Sequence, residues 1–322
     1  MKALRMGVIG VGYLGKFHAE KYASMKDVTL AGVADTDKQT LQAIASKYGT
    51  PFFTDYREML PSCDAVSIVV PTTLHHLVAR ECLTAGKDVL IEKPITTTLS
   101  EADDLIAFAA EKNLILQVGH LERFNPAVMA MEEHLTHPLF IESHRIHMFK
   151  PRGLDVDVVL DLMIHDIDII LSIVNSPITQ IHTVGVPVVT PMTDIANARL
   201  IFENGCTANV TVSRISKDNI RRIRVFQPRS FVSVDYGNKE ITVIRLSKEK
   251  GDFGLPKEEI VKSSFTEADS LALELADFVS NIRLRNRPKV SGVEGRLALD
   301  VALRILRQIK EHAAKVEHLL AY

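Results

Sequence analysis

The chain has 322 residues, about twice a common domain length, so two domains and more than one hydrophobic core are expected. Hydrophobic residues make up 46% and charged residues 24%, a balance that excludes wholesale disorder. With 38 Lys+Arg against 40 Asp+Glu the formal net charge is -2, which gives no electrostatic ground for a nucleic-acid or anionic-membrane partner.

In chain order, the first third alternates between two periods. Short apolar runs at 6–10, 28–34, 65–70, 88–91 and 114–118 predict strands, and helix-period segments fill 14–25, 38–48, 74–85 and 100–112. Ser100 with an acid three positions later, Asp103, reads as a capping-box start for the last of these helices. Strands alternating with helices predict a parallel sheet covered on both faces. After about residue 120 the rhythm changes. A helical segment over 158–175 is followed by alternating strands, with Asn204-Gly205 and Gly237-Asn238 as hairpin turns. Helical segments over 269–284 and 295–314 close the chain.

Gly10-Val11-Gly12-Tyr13-Leu14-Gly15 follows the first strand and opens a helix, the context in which a G-x-G-x-x-G loop binds a dinucleotide. The glycines allow a tight turn and close approach of a pyrophosphate to the helix N-terminus. Gly10, Gly12, Tyr13, Leu14 and Gly15 are therefore candidate cofactor contacts. Asp35 ends the second strand, 25 residues beyond Gly10, where a carboxylate accepts from the ribose hydroxyls and repels a 2′-phosphate. NAD is expected over NADP. The fold class is α/β: an N-terminal Rossmann, doubly wound parallel sheet over 1–120, plus a C-terminal α+β domain over 121–322 with a largely antiparallel open sheet.

Two further features carry chemistry. Glu92-Lys93-Pro94 follows the fourth strand, and ligands of open α/β sheets lie beyond the carboxyl ends of the strands. At about 100° per residue, Asp161, His165 and Asp168 share one stripe of an otherwise aliphatic helix with Ser172 and Asn175. That stripe lacks the Lys, Glu and Gln of a solvent face, which favours an active-site surface. Asp161 and His165 sit at a metal-ligand spacing, with His144 and His147 nearby in sequence. However, 142–149 reads as a strand, on which residues three apart face opposite ways, so no metal is expected. Of the basic run Arg221-Arg222-Ile223-Arg224, Arg222 and Arg224 share a strand face that reads as solvated.

Gly10-x-Gly12-x-x-Gly15-x-x-His18, Asp35, Pro71-Thr72-x-x-His75, Glu92-Lys93-Pro94, Arg123-Phe124-Asn125-Pro126 and Asp161-x-x-x-His165-x-x-Asp168 occur in that order. Together they resemble the glucose–fructose oxidoreductase / inositol 2-dehydrogenase (Gfo/Idh/MocA) family over nearly the whole chain. The resemblance implies catalysis by Lys93, Asp161 and His165, and cofactor contacts from Pro71, Thr72, His75, Glu92 and Lys93. It also implies a substrate domain whose open sheet forms a homodimer or homotetramer. The stretch from Val118 to Pro126, with His120, Arg123, Phe124 and Asn125 as candidate substrate contacts, is similar to a subgroup of UDP-N-acetylglucosamine 3-dehydrogenases. The activity implied is hydride transfer between a sugar hydroxyl, most simply of a nucleotide sugar, and NAD. A dehydrogenase of a non-sugar substrate and a non-catalytic NAD(H) sensor are the alternatives. Histidine ordinarily titrates near pH 6.5 and lysine near 10.4, so His165 suits the general base and Lys93 the alkoxide-stabilising cation.

Cys63, Cys82 and Cys206 are odd in number and form no C-x-x-C, which points to a reducing cytoplasm. The apolar start of the chain carries four glycines followed by Lys16, unlike a cleaved leader. No stretch is apolar enough to span a membrane; the longest uncharged run, 169–193, is broken by Pro177, Pro187 and Pro191.

Overall fold

The protein is described by a computed structural model over residues 2–149, 156–250 and 255–320. Its elements in chain order begin with β1 (Leu4–Ile9), α1 (Gly15–Ser24), β2 (Val28–Ala34), α2 (Lys38–Tyr48), β3 (Phe52–Phe53) and α3 (Tyr56–Met59). Then come β4 (Ala65–Ile68), α4 (His75–Thr84), β5 (Asp88–Glu92), α5 (Leu99–Glu111) and β6 (Leu116–Gly119). These six strands form one parallel sheet in the order β3-β2-β1-β4-β5-β6. The order reverses between β1 and β4, which opens a crevice at the carboxyl ends of those strands.

The second half supplies α6 (Pro126–Glu132), β7 (Phe140–Met148), α7 (Ile164–Val174), β8 (Ile178–Val186), β9 (Ile195–Phe202) and β10 (Thr207–Ser216). It continues with β11 (Ile220–Gln227), β12 (Ser230–Asp235), β13 (Glu240–Lys250) and β14 (Pro256–Ser264). The eight strands follow the order β14-β13-β12-β11-β7-β10-β9-β8, with every pair antiparallel except β7–β10. Both expected hairpins form. Gly205 takes φ 88 in the β9–β10 turn, and Lys239 takes φ 53 in the β12–β13 turn. The inner face of the sheet is buried along alternate positions such as Ala198, Leu200, Val210, Val212 and Val225, where α6 and α7 pack. On the outer face Arg222 pairs with Asp235 at 3.5 Å, and Arg224 pairs with Glu142.

Helices α8 (Ser270–Leu284) and α9 (Gly292–Leu320) close the chain. The chain divides into two compact units, Met1–Leu121 with Asp269–Leu299, and Glu122–Ala268 with Asp300–Tyr322. A single cut at residue 120 therefore leaves out the return of 269–299 to the first unit. The reason is apolar surface: Leu271, Leu275, Phe278, Val279 and Ile282 of α8 are buried with Met6, Val8, Tyr22, Val33 and Leu90. Past α8, Val290 accepts a main-chain bond from Val118 at 2.9 Å and covers the edge of β6.

Two local expectations are corrected. The N-cap of α5 is Thr98, not Ser100: the Thr98 side chain accepts from the Glu101 N–H, and Glu101 reaches back to the Thr98 N–H, a reciprocal capping box. Asp103 instead pairs with Arg296 at 2.8 Å. The segment 158–175 is not one uniform α-helix either. Val159–Met163 forms a π-turn, in which Ile164 N–H reaches Val159 O, before α7 begins.

Candidate active site

The cofactor cleft belongs to the first unit. Gly10 follows β1 with φ 86, and a Cβ there would lie 2.4 Å from Val69 O, so the turn admits only glycine. A Cβ on Gly15 would lie 1.8 Å from Gly10 O, which sets how closely α1 approaches β1, while Gly12 faces open space. Leu14, at the head of α1, supplies no side-chain cap, so the first-turn amides have no side-chain acceptor. A cavity of about 280 Å³ is lined by Gly10, Gly12, Asp35, Val70, Pro71, Leu74 and Val78, among others. Asp35 Oδ2 accepts from Val11 N–H at 2.7 Å and Oδ1 from Asp37 N–H at 3.0 Å. Asp37, not Asp35, caps α2, and the half-buried Asp35 carboxylate lines the cavity with lone pairs to spare beyond these two amides. Glycine cradle, uncapped helix and strand-end carboxylate fit a dinucleotide. Tyr13 and Leu14 belong to this loop, but the Tyr13 ring is exposed and packs edge-on against Phe17.

Around the Glu92-Lys93-Pro94 turn the side chains interlock. Glu92 Oε1 meets His18 Nε2 at 3.2 Å, and Oε2 accepts from Lys93 N–H at 3.3 Å. On β6 the neighbour of Glu92 is Gly119, where a Cβ would approach the carboxylate to 3.0 Å. Bulk at 119 would push Glu92 off His18. The His75 ring is buried, with Nδ1 2.9 Å from Pro94 O and Nε2 2.9 Å from Val70 O. A neutral ring donates to only one of these carbonyls. Burial holds the His75 pKa below its ordinary value against those two acceptors. His75 thus ties the Lys93–Pro94 turn, whose bond is cis, to the loop after β4. Thr72 is half-buried at the start of that loop's turn into α4.

In the second unit, Asp161 lies within the π-turn and His165 in the first turn of α7, both half-buried. Because an i→i+5 turn intervenes, a uniform step of about 100° overstates the rotation from Asp161 to His165. The rest of the stripe serves the fold. Asp168 is buried and 3.6 Å from Arg123 Nη1, Ser172 Oγ donates to Ile169 O at 2.7 Å, and Asn175 closes α7 at φ 45. Among the expected substrate contacts, Phe124 is buried, and the Asn125 side chain caps α6 through Ala127 N–H and donates to Glu122 and to Tyr236 O. His120, in the first unit, is also buried.

The spacing of motifs did not bring out Arg145 or Asp166. Arg145 is buried on β7 and donates to Asp166 at 2.7 Å and to Glu122 at 2.9 Å. Burial works against its charge, but the two carboxylates outweigh it and raise its pKa. A signal was present: an arginine between Ser143 and His147, on an alternating strand, at an inward-facing position. Among the described residues, no group of three or more His, Cys, Asp or Glu side chains is arranged to hold a metal ion. Nor is any described helix long and apolar enough to cross a membrane.

These features agree with comparisons to known proteins. Residues 4–120 match the Gfo/Idh/MocA oxidoreductase family, NAD-binding Rossmann fold, and residues 133–229 match the Gfo/Idh/MocA C-terminal domain. The chain is 37% identical over 303 residues to a UDP-N-acetylglucosamine 3-dehydrogenase of Acidithiobacillus ferrooxidans, covering 94% of this chain and 96% of that one. A solved structure of that enzyme superposes with a TM-score of 0.87 over 95% of this chain and 97% of the other. A myo-inositol 2-dehydrogenase of Thermotoga maritima is 26% identical over 98% of this chain and all of its own. With a glycine cradle that fits a dinucleotide and matches across both units, the chain belongs to the Gfo/Idh/MocA family of NAD-binding oxidoreductases.

Proposed function

We propose that the chain is an NAD-dependent dehydrogenase acting on the 3-hydroxyl of UDP-N-acetylglucosamine. The observation that carries this reading is the 37% identity to the Acidithiobacillus enzyme of that activity, sustained over 94% of the chain. Bound NAD supplies the hydride acceptor. His165 accepts the hydroxyl proton as the carbon–hydrogen bond breaks, and Lys93 stabilises the charge that develops on the oxygen. Asp161, in the same unit as His165 and four positions before it, orients the imidazole. Asp35 holds the adenosine ribose, the 10–15 loop the pyrophosphate, and Pro71, Thr72 and the Glu92–Lys93 turn the nicotinamide half.

The protein works as a homodimer or homotetramer in this reading. On the outer face of the second sheet Phe226 stacks with Phe140 at 5.7 Å and with Phe231 at 4.8 Å, an aromatic ladder suited to a second copy. The three cysteines are free and buried, as suits a reducing cytoplasm.

The test is incubation of purified protein with NAD and a panel of nucleotide and free sugars while following reduced nicotinamide. UDP-N-acetylglucosamine is expected to give turnover, and His165→Ala and Lys93→Ala to lose about 100-fold or more. Turnover with a non-sugar alcohol alone, or tight NADH binding with no turnover on any sugar, overturns the substrate assignment.

A further inference from the structure

Helix α7 carries two acids close to His165, Asp166 and Asp168, and Asp161 lies before it in the π-turn. Asp166 and Asp168 are buried and point to different sides. On a helix, Asp166 projects about 100° to one side of His165 and Asp168 about 60° to the other. Each meets a charged group. Asp166 Oδ2 accepts from Arg145 Nε at 2.7 Å, and its Oδ1 accepts from Ser143 Oγ at 2.7 Å. Arg145 Nη1 continues to Glu122 Oε1 at 2.9 Å, with the guanidinium 5.1 Å from the centre of the Tyr236 ring. On the other flank Arg123 Nη1 stands 3.6 Å from Asp168 Oδ1.

Glu122 and Arg123 are consecutive residues of one short turn, Leu121–Phe124, and carry opposite charges. Glu122 reaches α7 through an arginine, and Arg123 reaches it directly. Asn125 steadies the same turn, donating to Glu122 Oε2 at 3.2 Å while capping α6. The need for such a grip lies in the π-turn at Val159–Met163. Where the main-chain ladder changes from i→i+5 to i→i−4 bonding, the ladder alone specifies the rotation of the following helix less firmly.

We propose that Glu122–Arg145–Asp166 on one side and Arg123–Asp168 on the other form a clamp that fixes the rotation of α7 and so the direction of the His165 imidazole. Arg145, Asp166 and Arg123 are then positioning residues, and Arg123 acts through the helix rather than on the substrate. The inference rests on the proposed role of His165 in proton transfer. A displacement of the base by about an ångström costs up to 100-fold in rate. By contrast, a buried ion pair replaced as a whole by apolar groups of similar volume often leaves stability unchanged or higher.

The test therefore uses Arg145→Met/Asp166→Leu as a pair, in a chain that also carries Glu122→Gln so that no carboxylate faces the lost guanidinium, with Arg123→Met and Arg123→Lys separately, and with NAD present. The paired variant is expected to keep its Tm within a few degrees and its NAD affinity, yet to lose about 10- to 100-fold in kcat with little change in the sugar KM. Arg123→Met is expected to lose kcat likewise, and Arg123→Lys to recover most of that loss, because a contact at 3.6 Å needs a charge rather than a fork. A second readout does not depend on turnover. The side-chain nitrogen resonances of His165, identified by their absence in His165→Ala, should be sharp in the parent and shifted or split in the paired variant. Unchanged His165 resonances overturn the clamp, whatever the sugar panel shows. So does an Arg123→Met variant that raises the sugar KM at constant kcat, which would return Arg123 to the substrate.

Discussion

Asp35 gives one carboxylate oxygen to the Val11 amide and the other to the Asp37 amide, so its charge is fixed at the mouth of the glycine loop. A ribose diol can donate to the remaining lone pairs, whereas a 2′-phosphate meets a like charge. Asp35→Ser is expected to weaken NADH binding by about 10- to 100-fold, the worth of charged hydrogen bonds, and to narrow the preference over NADPH. Parallel fluorescence titrations with the two reduced cofactors measure both effects. His75 makes a prediction about pH. Its folded-state pKa is depressed by burial, so as pH falls the unfolded chain takes up the proton first. The stability it contributes is full above about pH 6.5 and declines below it. Thermal melts from pH 8 to 5 should show a steeper acid-side fall in Tm for the parent than for His75→Gln.

Helix starts show where local pattern and structure part. Ser100 and Asp103 have a capping-box spacing, but so do Thr98 and Glu101, and only the latter pair makes both reciprocal bonds. The choice was made by tertiary contact, since Asp103 is drawn to Arg296, far along the chain. Thr98→Ala is accordingly expected to lower the unfolding free energy by about 1 kcal/mol, and Ser100→Ala by only a few tenths, in denaturant titrations. The strands of the first unit were legible because parallel strands buried on both faces leave unbroken apolar runs, as at Val89, Leu90 and Ile91. The glycine loop and Asp35 were legible because their chemistry is local. By contrast, the π-turn at Val159–Met163 was not, since aliphatic spacing barely distinguishes one bonding ladder from another over a single turn. Nor was the Arg145–Asp166 pair, which joins a strand to a helix 21 positions away through burial that periodicity does not report.

On the scale of the molecule, the first unit is assembled from two separated stretches, 1–121 and 269–299. Phe278 of α8 is fully buried in a cluster with Tyr22, Val33 and Leu90, and truncating it to alanine is expected to cost about 3–5 kcal/mol in chemical denaturation. That is a large share of the 5–15 kcal/mol typical of a domain, so the variant should also release NADH at lower temperature. The divided unit has a consequence for biosynthesis. A ribosome working at about 5–20 residues per second emits α8 on the order of ten seconds after the last strand of the parallel sheet. During that interval the apolar surface that α8 covers, around Met6, Tyr22, Val33 and Leu90, lacks its cover, and the glycine cradle stands on an unfinished core. The nascent chain thus exposes that apolar surface until residues 269–299 have been made, and stalled chains should gain protease resistance only once these have emerged.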